Sequence, residues 1–393
     1  MPDDSTARDD LSIRASSSLD RFLIGHREAY AFLRFNSPRK AWNLLRQRLA
    51  YHAGATRVHA YPYQLIVEAT SACNLRCPFC HTGKGEKGRK AQLLSVDLLN
   101  RILDELAPYA FTIDFQNWGE PLLNPGIFDL IARARRRGII PSIHTNFNVP
   151  LDDARAERMI TSGLIYLSIS ADGADDAAYA TYRVRGRFDL LVENLKRLVA
   201  AKRRLGALNP FITWQFLVFR HNEHQIAEAQ ALARSLGADR FYVQAGFVEE
   251  DSWLPRGDYA GIPGLIEKRC SYLWRQAVIH PDGGVAPCCN TFYKAHDFGE
   301  LSGGGFRSAW NNRNFQAARW LFRKKGRGRV EADVFCKQCP KAYPEELARA
   351  AALPGGTSLR TPFTLQPTTT GPSSDREDEI PLPVLEMPSG DRR

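Results

Sequence analysis

The sequence predicts an α/β protein built on a parallel sheet, followed by a smaller, irregular, cysteine-bearing domain. Three observations carry this expectation. Six short β-rich runs alternate with helical patterns between residues 64 and 245, the rhythm stops near residue 250, and five of the eight cysteines lie beyond that point. Strands alternating with helices imply a parallel sheet with right-handed crossovers, and six repeats fall short of an eight-unit barrel. An open partial barrel and a doubly wound sheet both fit the pattern. Both gather active-site groups at the C-terminal ends of the strands.

The elements follow in order. Residues 1–20 are polar and read as disordered, and 20–55 read as helical. Ser37 followed by Pro38 is an N-cap with a first-turn proline. Trp42, Leu45 and Leu49 then recur at helical spacing, with Arg39, Lys40, Arg46 and Arg48 largely elsewhere on the wheel. The face they form is expected to pack on its own domain, the other use of a basic amphipathic helix being a membrane surface. Strands are predicted at Gln64–Glu68, Phe111–Asn117, Pro141–Asn146, Tyr166–Ala171, Phe211–Val218 and Phe241–Ala245. Helices are predicted near 95–108, 126–137, 151–162, 188–204 and 223–236. The chain divides into an extension at 1–60, a barrel-like core at 61–250, a cysteine domain at 251–350 and a Pro/Ser/Thr-rich, disordered tail at 351–393.

The 393 residues, 44% hydrophobic and 24% charged, suit two globular domains with extensions. The formal net charge is +10, but no dense basic run with interleaved aromatics marks a nucleic-acid surface, so no nucleic-acid partner is expected. The polar N-terminus has no signal-peptide h-region, and no apolar run is long enough to span a bilayer. A cytoplasmic location is expected, where clustered cysteines read as metal ligands rather than disulfides.

Cys73, Cys77 and Cys80 stand in a C-x3-C-x2-C loop after the first strand. Three thiolates so close can wrap one corner of an iron–sulfur cubane and leave one iron without a protein ligand. Structural zinc normally wants four closed ligands. The loop Thr70–Cys80, its position and the aromatic Phe79 before Cys80 resemble the signature of the radical SAM superfamily. That resemblance implies a partial (β/α)6 TIM-like barrel and a [4Fe–4S] cluster whose open iron binds S-adenosyl-L-methionine. It also implies reductive cleavage to a 5′-deoxyadenosyl radical that abstracts hydrogen from substrate, with flavodoxin or ferredoxin as electron donor.

Further segments resemble the family's cofactor-contacting motifs. Trp118-Gly119-Glu120-Pro121 resembles the Gly-Gly-Glu segment, with Trp118 where the first glycine stands, and implies cofactor contact by Gly119 and Glu120. Thr145-Asn146 resembles the Thr-Asn pair after the third strand. Ser170-Ala171-Asp172-Gly173 resembles the ribose-contacting segment, implying roles for Ser170 and Asp172. Arg183, in the run Tyr179–Asp189, is implied as the partner of the cofactor carboxylate. After the fifth strand Asn222 is expected to cap the next helix, while Gln215 could face either way.

Cys270, Cys288, Cys289, Cys336 and Cys339 form the second set, closing in Cys336-Lys337-Gln338-Cys339-Pro340, a metal knuckle. Four thiolates could hold a closed iron–sulfur cluster or zinc. Gly283–Cys289, Phe298–Leu301, Ala309–Asn312 and the knuckle resemble the SPASM domain or its shortened twitch form. One auxiliary [4Fe–4S] cluster follows, assigned to Cys270, Cys288, Cys336 and Cys339, with Cys289 spare or alternative. An auxiliary cluster suits net oxidation. Because the short helical segment before the barrel does not resemble a winged-helix leader-binding module, a small-molecule alcohol such as a sugar or cyclitol is the expected substrate. Maturation of a peptide or protein substrate is the alternative; an iron–sulfur electron carrier or nucleic-acid binder without enzymatic activity is the remote one. Dehydrogenation needs a base, for which Arg220, His221 and His224 are candidates at the rim, none distinguished.

Overall fold

The computed structural model describes residues 10–14, 22–257, 270–301, 304–323, 332–339 and 342. All six expected strands form: β1 (Gln64–Val67), β2 (Thr112–Phe115), β3 (Ile140–Thr145), β4 (Tyr166–Ser170), β5 (Phe211–Val218) and β6 (Arg240–Ala245). They pair in sequence order and all in parallel. This is the open, partial (β/α)6 barrel rather than a doubly wound sheet, since the order of β1 to β6 does not reverse.

The helices before and between the strands are α1 (Arg27–Phe35), α2 (Pro38–Ala53), α3 (Val96–Leu106), α4 (Ile127–Arg136), α5 (Asp153–Thr161), α6 (Asp176–Tyr182), α7 (Phe188–Arg204) and α8 (Ile226–Ser235). The sequence reading misses α6, a short helix announced only by Asp175, whose side chain accepts from the Ala178 N–H. Along β5, Ile212, Trp214, Phe216 and Val218 are buried while the alternate residues are half-buried. The buried row meets the outer helices and the other row lines the lumen. Gln215 therefore faces inward, with Ser168 Oγ 3.2 Å from its Oε1.

The N-terminal helices close the bottom of the barrel. Leu23, Ile24, Tyr30 and Ala31 pack on Phe111, Ile140 and Ile165, which stand at the starts of β2, β3 and β4. Arg27 reaches up into the lumen to ion-pair with Asp114. Ser37 caps α2 as expected, accepting from the Lys40 N–H at 3.2 Å. The packing of α2, however, is reversed. Trp42, Leu45 and Leu49 are 60%, 48% and 60% exposed, whereas Lys40, Asn43 and Gln47 are buried. The buried polar groups find backbone partners: Asn43 pairs with both the N–H and the carbonyl of Tyr61 at 2.9 and 3.0 Å, and Lys40 Nζ donates to the Gly138 carbonyl at 2.6 Å.

The C-terminal part is less irregular than expected. β7 (Gln276–Ile279) pairs in parallel with β1, and β8 (Gly284–Ala286) and β9 (Gly299–Glu300) follow antiparallel. One nine-stranded sheet thus runs β6-β5-β4-β3-β2-β1-β7-β8-β9. These strands are too short, and β7 and β8 too completely buried, to leave a period-two signal. Three short helices complete the region: α9 (Tyr272–Arg275), α10 (Gly305–Trp310) and α11 (Arg313–Leu321). On α11 the fully buried Arg319 donates to the carbonyls of Leu273 and Thr56 at 2.9 and 3.0 Å and lies over the Trp310 ring. Of the segment 1–20 expected to be disordered, residues 10–14 are ordered: Arg14 forms a β-bridge with Ala207, and Leu11 N–H donates to the Thr161 carbonyl at 2.9 Å. Residues 1–9, 15–20 and the tail at 351–393 lie outside the described residues. Among the described residues no helix is long and apolar enough to cross a membrane.

His144 shares the lumen face of β3 with Ser142. Burial pushes its imidazole from 6.5 down to about 4, only partly opposed by Asp114. Between those values the unfolded chain binds more protons than the folded one, so His144 makes stability fall as the pH drops from 6.5 towards 4. His144→Gln is expected to flatten that fall in thermal melts taken across the window. An unchanged slope would refute a buried neutral imidazole.

Candidate active site and cysteine centres

The loop carrying Cys73, Cys77 and Cys80 crosses the C-terminal mouth of the barrel directly after β1. The turn after β2 presses on it. Glu120 N–H donates to the Ala72 carbonyl at 2.8 Å. A Cβ on Gly119 would fall 1.7 Å from the Thr70 carbonyl oxygen, so only glycine fits there. Gly83 is held in the same way, 2.3 Å from the Cys77 carbonyl oxygen at the imagined Cβ. Two N–H donors point at the sulfurs: Asn146 Nδ2 is 3.7 Å from Cys73 Sγ and Arg183 Nη1 is 3.8 Å from Cys77 Sγ.

Burial pushes the Cys73 thiol up to about 12, with the Glu120 carboxylate adding to it. Burial also raises Cys77, against the pull of Arg183. Such thiols ionise readily only when a cation offsets the cost of burial, which is what cluster iron supplies. Among the described residues no three ligand side chains converge on a single ion position. Thiolates that bind separate irons of one cluster need not do so.

The expected cofactor residues surround this loop, but several are taken up by one another. Glu120 is buried. Its Oε1 accepts from Thr145 Oγ1 at 2.6 Å and Leu122 N–H at 3.0 Å, and its Oε2 accepts from Asn146 N–H at 2.7 Å. It ties the ends of β2 and β3 together. Asn146 Nδ2 also donates to Asn74 Oδ1 at 2.9 Å, inside the cysteine loop. The turn after Asn146 passes through Phe147 at a φ of 57°, a strained conformation for a non-glycine residue. Asn194 of α7 fixes it by donating to the Phe147 and Val149 carbonyls at 2.9 and 3.0 Å.

Asp172, whose place in the motif implies ribose contact, is fully buried, with both oxygens engaged within the protein. Oδ2 accepts from Arg183 Nε at 2.6 Å and Oδ1 from Leu217 N–H at 2.8 Å. Its carboxylate anchors Arg183 beside Cys77, and Arg183 stays charged. Ser170 is half-buried on the lumen face, opposite Gln215 in register. Asn222 does not cap the following helix. It donates to the Asp172 and Leu217 carbonyls and accepts from Phe219 N–H, pinning β4 to β5.

Phe79 stands in an aromatic wall beside the loop, with Trp253 edge-on at 5.0 Å and Tyr182 and Phe219 behind. Of the three rim candidates, only His221 joins this wall. Its ring stacks on Phe219 at 5.7 Å, and Nε2 lies 3.2 Å from the Ala178 carbonyl. Burial lowers its pKa. Arg220 and His224 are exposed.

A buried latch escaped the sequence reading. Glu68, the residue after β1, accepts from Trp118 N–H at 2.9 Å and Gly119 N–H at 3.2 Å, and its other oxygen meets His280 Nδ1 at 2.7 Å. Next comes Arg89, whose side chain is 3% exposed and bridges Asp282 and Asp297. The one available signal was an acidic residue ending an apolar strand just before the cysteines. Trp118, where the family has glycine, turns its indole to the Thr291 carbonyl at 3.1 Å and packs on Phe292.

In the second set, Cys336 lies within electrostatic reach of Cys288, Cys270 and Cys339, and burial holds the Cys288 and Cys336 thiols up. Cys289 is likewise within electrostatic reach of Cys288 and Cys270, and it also packs toward Ile66, Val278 and Ala286. Aromatic rings run from one cysteine set to the other. His81, next to Cys80, meets Tyr293 at 5.8 Å, Tyr293 meets His296 at 5.5 Å, and His296 meets Phe335, next to Cys336, at 5.2 Å.

Removing Asp172 should strand a buried guanidinium. Asp172→Ala is expected to cost about 3–5 kcal/mol in urea unfolding, the range for breaking a buried pair. A loss below about 1 kcal/mol would place the pair among solvent-screened ones.

Comparison with known proteins agrees with this arrangement. Residues 67–229 match the radical SAM superfamily, and residues 270–340 match an iron–sulfur cluster-binding domain, SPASM. A PqqA peptide cyclase of Gluconobacter oxydans is 30% identical over 203 residues, 50% of this chain and 54% of that protein. The mycofactocin maturase MftC of Mycobacterium ulcerans is 30% identical over 177 residues, 45% of this chain and 46% of that protein. The chain thus spans about half the length of the relatives it matches. Streptococcus suis SuiB, solved bound to S-adenosylmethionine, shares the fold at a TM-score of 0.57 and 15% identity, over 78% of this chain and 79% of that one. The chain therefore carries a radical SAM superfamily domain at residues 67–229, followed by a SPASM iron–sulfur cluster-binding domain at 270–340.

Proposed function

We propose that this enzyme modifies a peptide or protein substrate, crosslinking or oxidising its side chains. The observation that carries the reading is the 30% identity with a PqqA peptide cyclase over 203 residues. The mycofactocin maturase supports it. This reading takes precedence over the small-molecule alcohol expected from the sequence.

Within it, Cys73, Cys77 and Cys80 hold the [4Fe–4S] cluster that binds S-adenosyl-L-methionine, and together these groups supply a hydrogen-abstracting radical. The chain's own residues place and shelter that chemistry. Gly119 lets the backbone approach closely. Asn146 and Arg183 direct N–H groups at two sulfurs, stabilising thiolate. Arg183, held by Asp172, sets a fixed positive charge where a cofactor carboxylate would sit. Ser170 and Thr145 stand at neighbouring strand ends. Phe79, Tyr182, Phe219 and Trp253 form an apolar wall that excludes water. Cys270, Cys288, Cys336 and Cys339 hold one auxiliary [4Fe–4S] cluster, a group able to accept an electron, and Cys289 is spare. The reducing electron comes from a flavodoxin- or ferredoxin-type donor.

Iron content separates the two cysteine sets. Anaerobically reconstituted wild-type protein is expected to hold about 8 iron per chain, and the Cys73→Ala/Cys77→Ala/Cys80→Ala variant about 4, with 5′-deoxyadenosine formation under dithionite abolished. Cys289→Ser should keep full iron, and Cys336→Ser should lose about half. A loaded wild-type protein that forms no 5′-deoxyadenosine would overturn the enzymatic reading. Substrate class is tested by mass spectrometry of a short peptide encoded beside the gene, expected to lose two hydrogens per crosslink or oxidation. Turnover of sugar or cyclitol alcohols with the peptide left unchanged would reverse the choice.

A further inference from the structure

The reversed helix α2 presents a surface that nothing in the catalytic reading uses. Trp42, Leu45 and Leu49 follow one another at helical spacing and stand about half or more in solvent, at 60%, 48% and 60% exposure. Arg46 and Arg39 border this ridge on one side of the wheel and Arg48 on the other, all exposed. No Asp or Glu occurs between Glu28 and Glu68. The preceding helix adds Phe32 and Leu33, 45% and 63% exposed. The rotation of α2 is not loose: the paired Asn43–Tyr61 bonds and the Lys40–Gly138 bond hold its polar face inward. The ridge is held outward by hydrogen bonds on its far side.

We infer that α2 seats the enzyme on an anionic lipid surface. A Trp/Leu ridge flanked by arginines is the composition of a helix lying in a membrane interface, its apolar side chains entering the headgroup–acyl boundary and its cations meeting lipid phosphates. Residues this exposed on a single helix form a ridge and not a groove, so they offer no walls to hold a peptide, whereas a flat acidic surface accepts them. The enzyme lies on this surface and does not cross it. The inference is independent of the substrate reading.

Co-sedimentation of the reconstituted full chain with vesicles tests it. Binding is expected to phosphatidylcholine vesicles doped with phosphatidylglycerol, and to weaken with added salt and on pure phosphatidylcholine. Trp42→Gln/Leu45→Gln/Leu49→Gln and, separately, Arg46→Gln/Arg48→Gln should each weaken binding about tenfold or more. Circular dichroism and iron content should match wild type; Leu45→Gln alone serves if the triple variant misfolds. No binding to either vesicle, or binding that the substitutions leave unchanged, would overturn the proposal. So would a concentration-dependent dimer, seen by ultracentrifugation and abolished by the triple variant, since it would assign the ridge to a second copy.

Discussion

The buried carboxylate of Glu68 holds the active site and the C-terminal region in one frame. It follows β1, precedes the cysteine loop, receives the Trp118 and Gly119 N–H groups from the β2 turn, and meets His280 after β7. Glu68 and His280 are buried and Trp118 and Gly119 half-buried, and a buried polar group without a partner costs about as much as a lost hydrogen bond. The close approach of Gly119 to Thr70 depends on this anchor, and so does the seating of the C-terminal hairpin on the barrel. The Arg89 bridge to Asp282 and Asp297 extends the same frame outward.

The mouth of the barrel follows a related logic. Its polar side chains mostly satisfy one another: Glu120 with Thr145 and Asn146, Asp172 with Arg183, Asn222 with the ends of β4 and β5. Pairing removes the cost of burying them and leaves few rotamers open. Around the thiols, then, lie backbone, aromatic rings and two directed N–H donors. The proposed radical chemistry would be served by such surroundings, because a reactive species held among satisfied groups meets little loose water.

Much of this was legible in the sequence. Strand runs such as Phe211–Val218 carried enough β-branched and aromatic residues to announce themselves, and the C-x3-C-x2-C spacing marked the loop that crosses the barrel's mouth. What spacing could not convey was partnership. Asn222 looked like a helix cap, and nothing announced the pairing of Asp172 with Arg183, because a motif gives position along the chain but not which buried group lies across from it. Periodicity located the Trp42–Leu45–Leu49 stripe correctly but said nothing of its rotation, which was decided by the hydrogen bonds of Asn43 and Lys40. β7 to β9 were lost for want of length, and Glu68 because a lone acid in a strand carries no motif.

The pairing of β7 with β1 bears on modularity. Sequence families divide the chain into a radical SAM domain and an appended cluster domain, yet the backbone runs them into one sheet, with Gln64 to Ile66 paired on both sides. Severing the chain between the two would leave β1, the strand that leads into the first cysteines, as a bare edge of apolar residues open to any other strand. The cluster domain is in this sense the closing wall of the catalytic one. Grafting it onto another barrel would require matching a strand register as well as a linker.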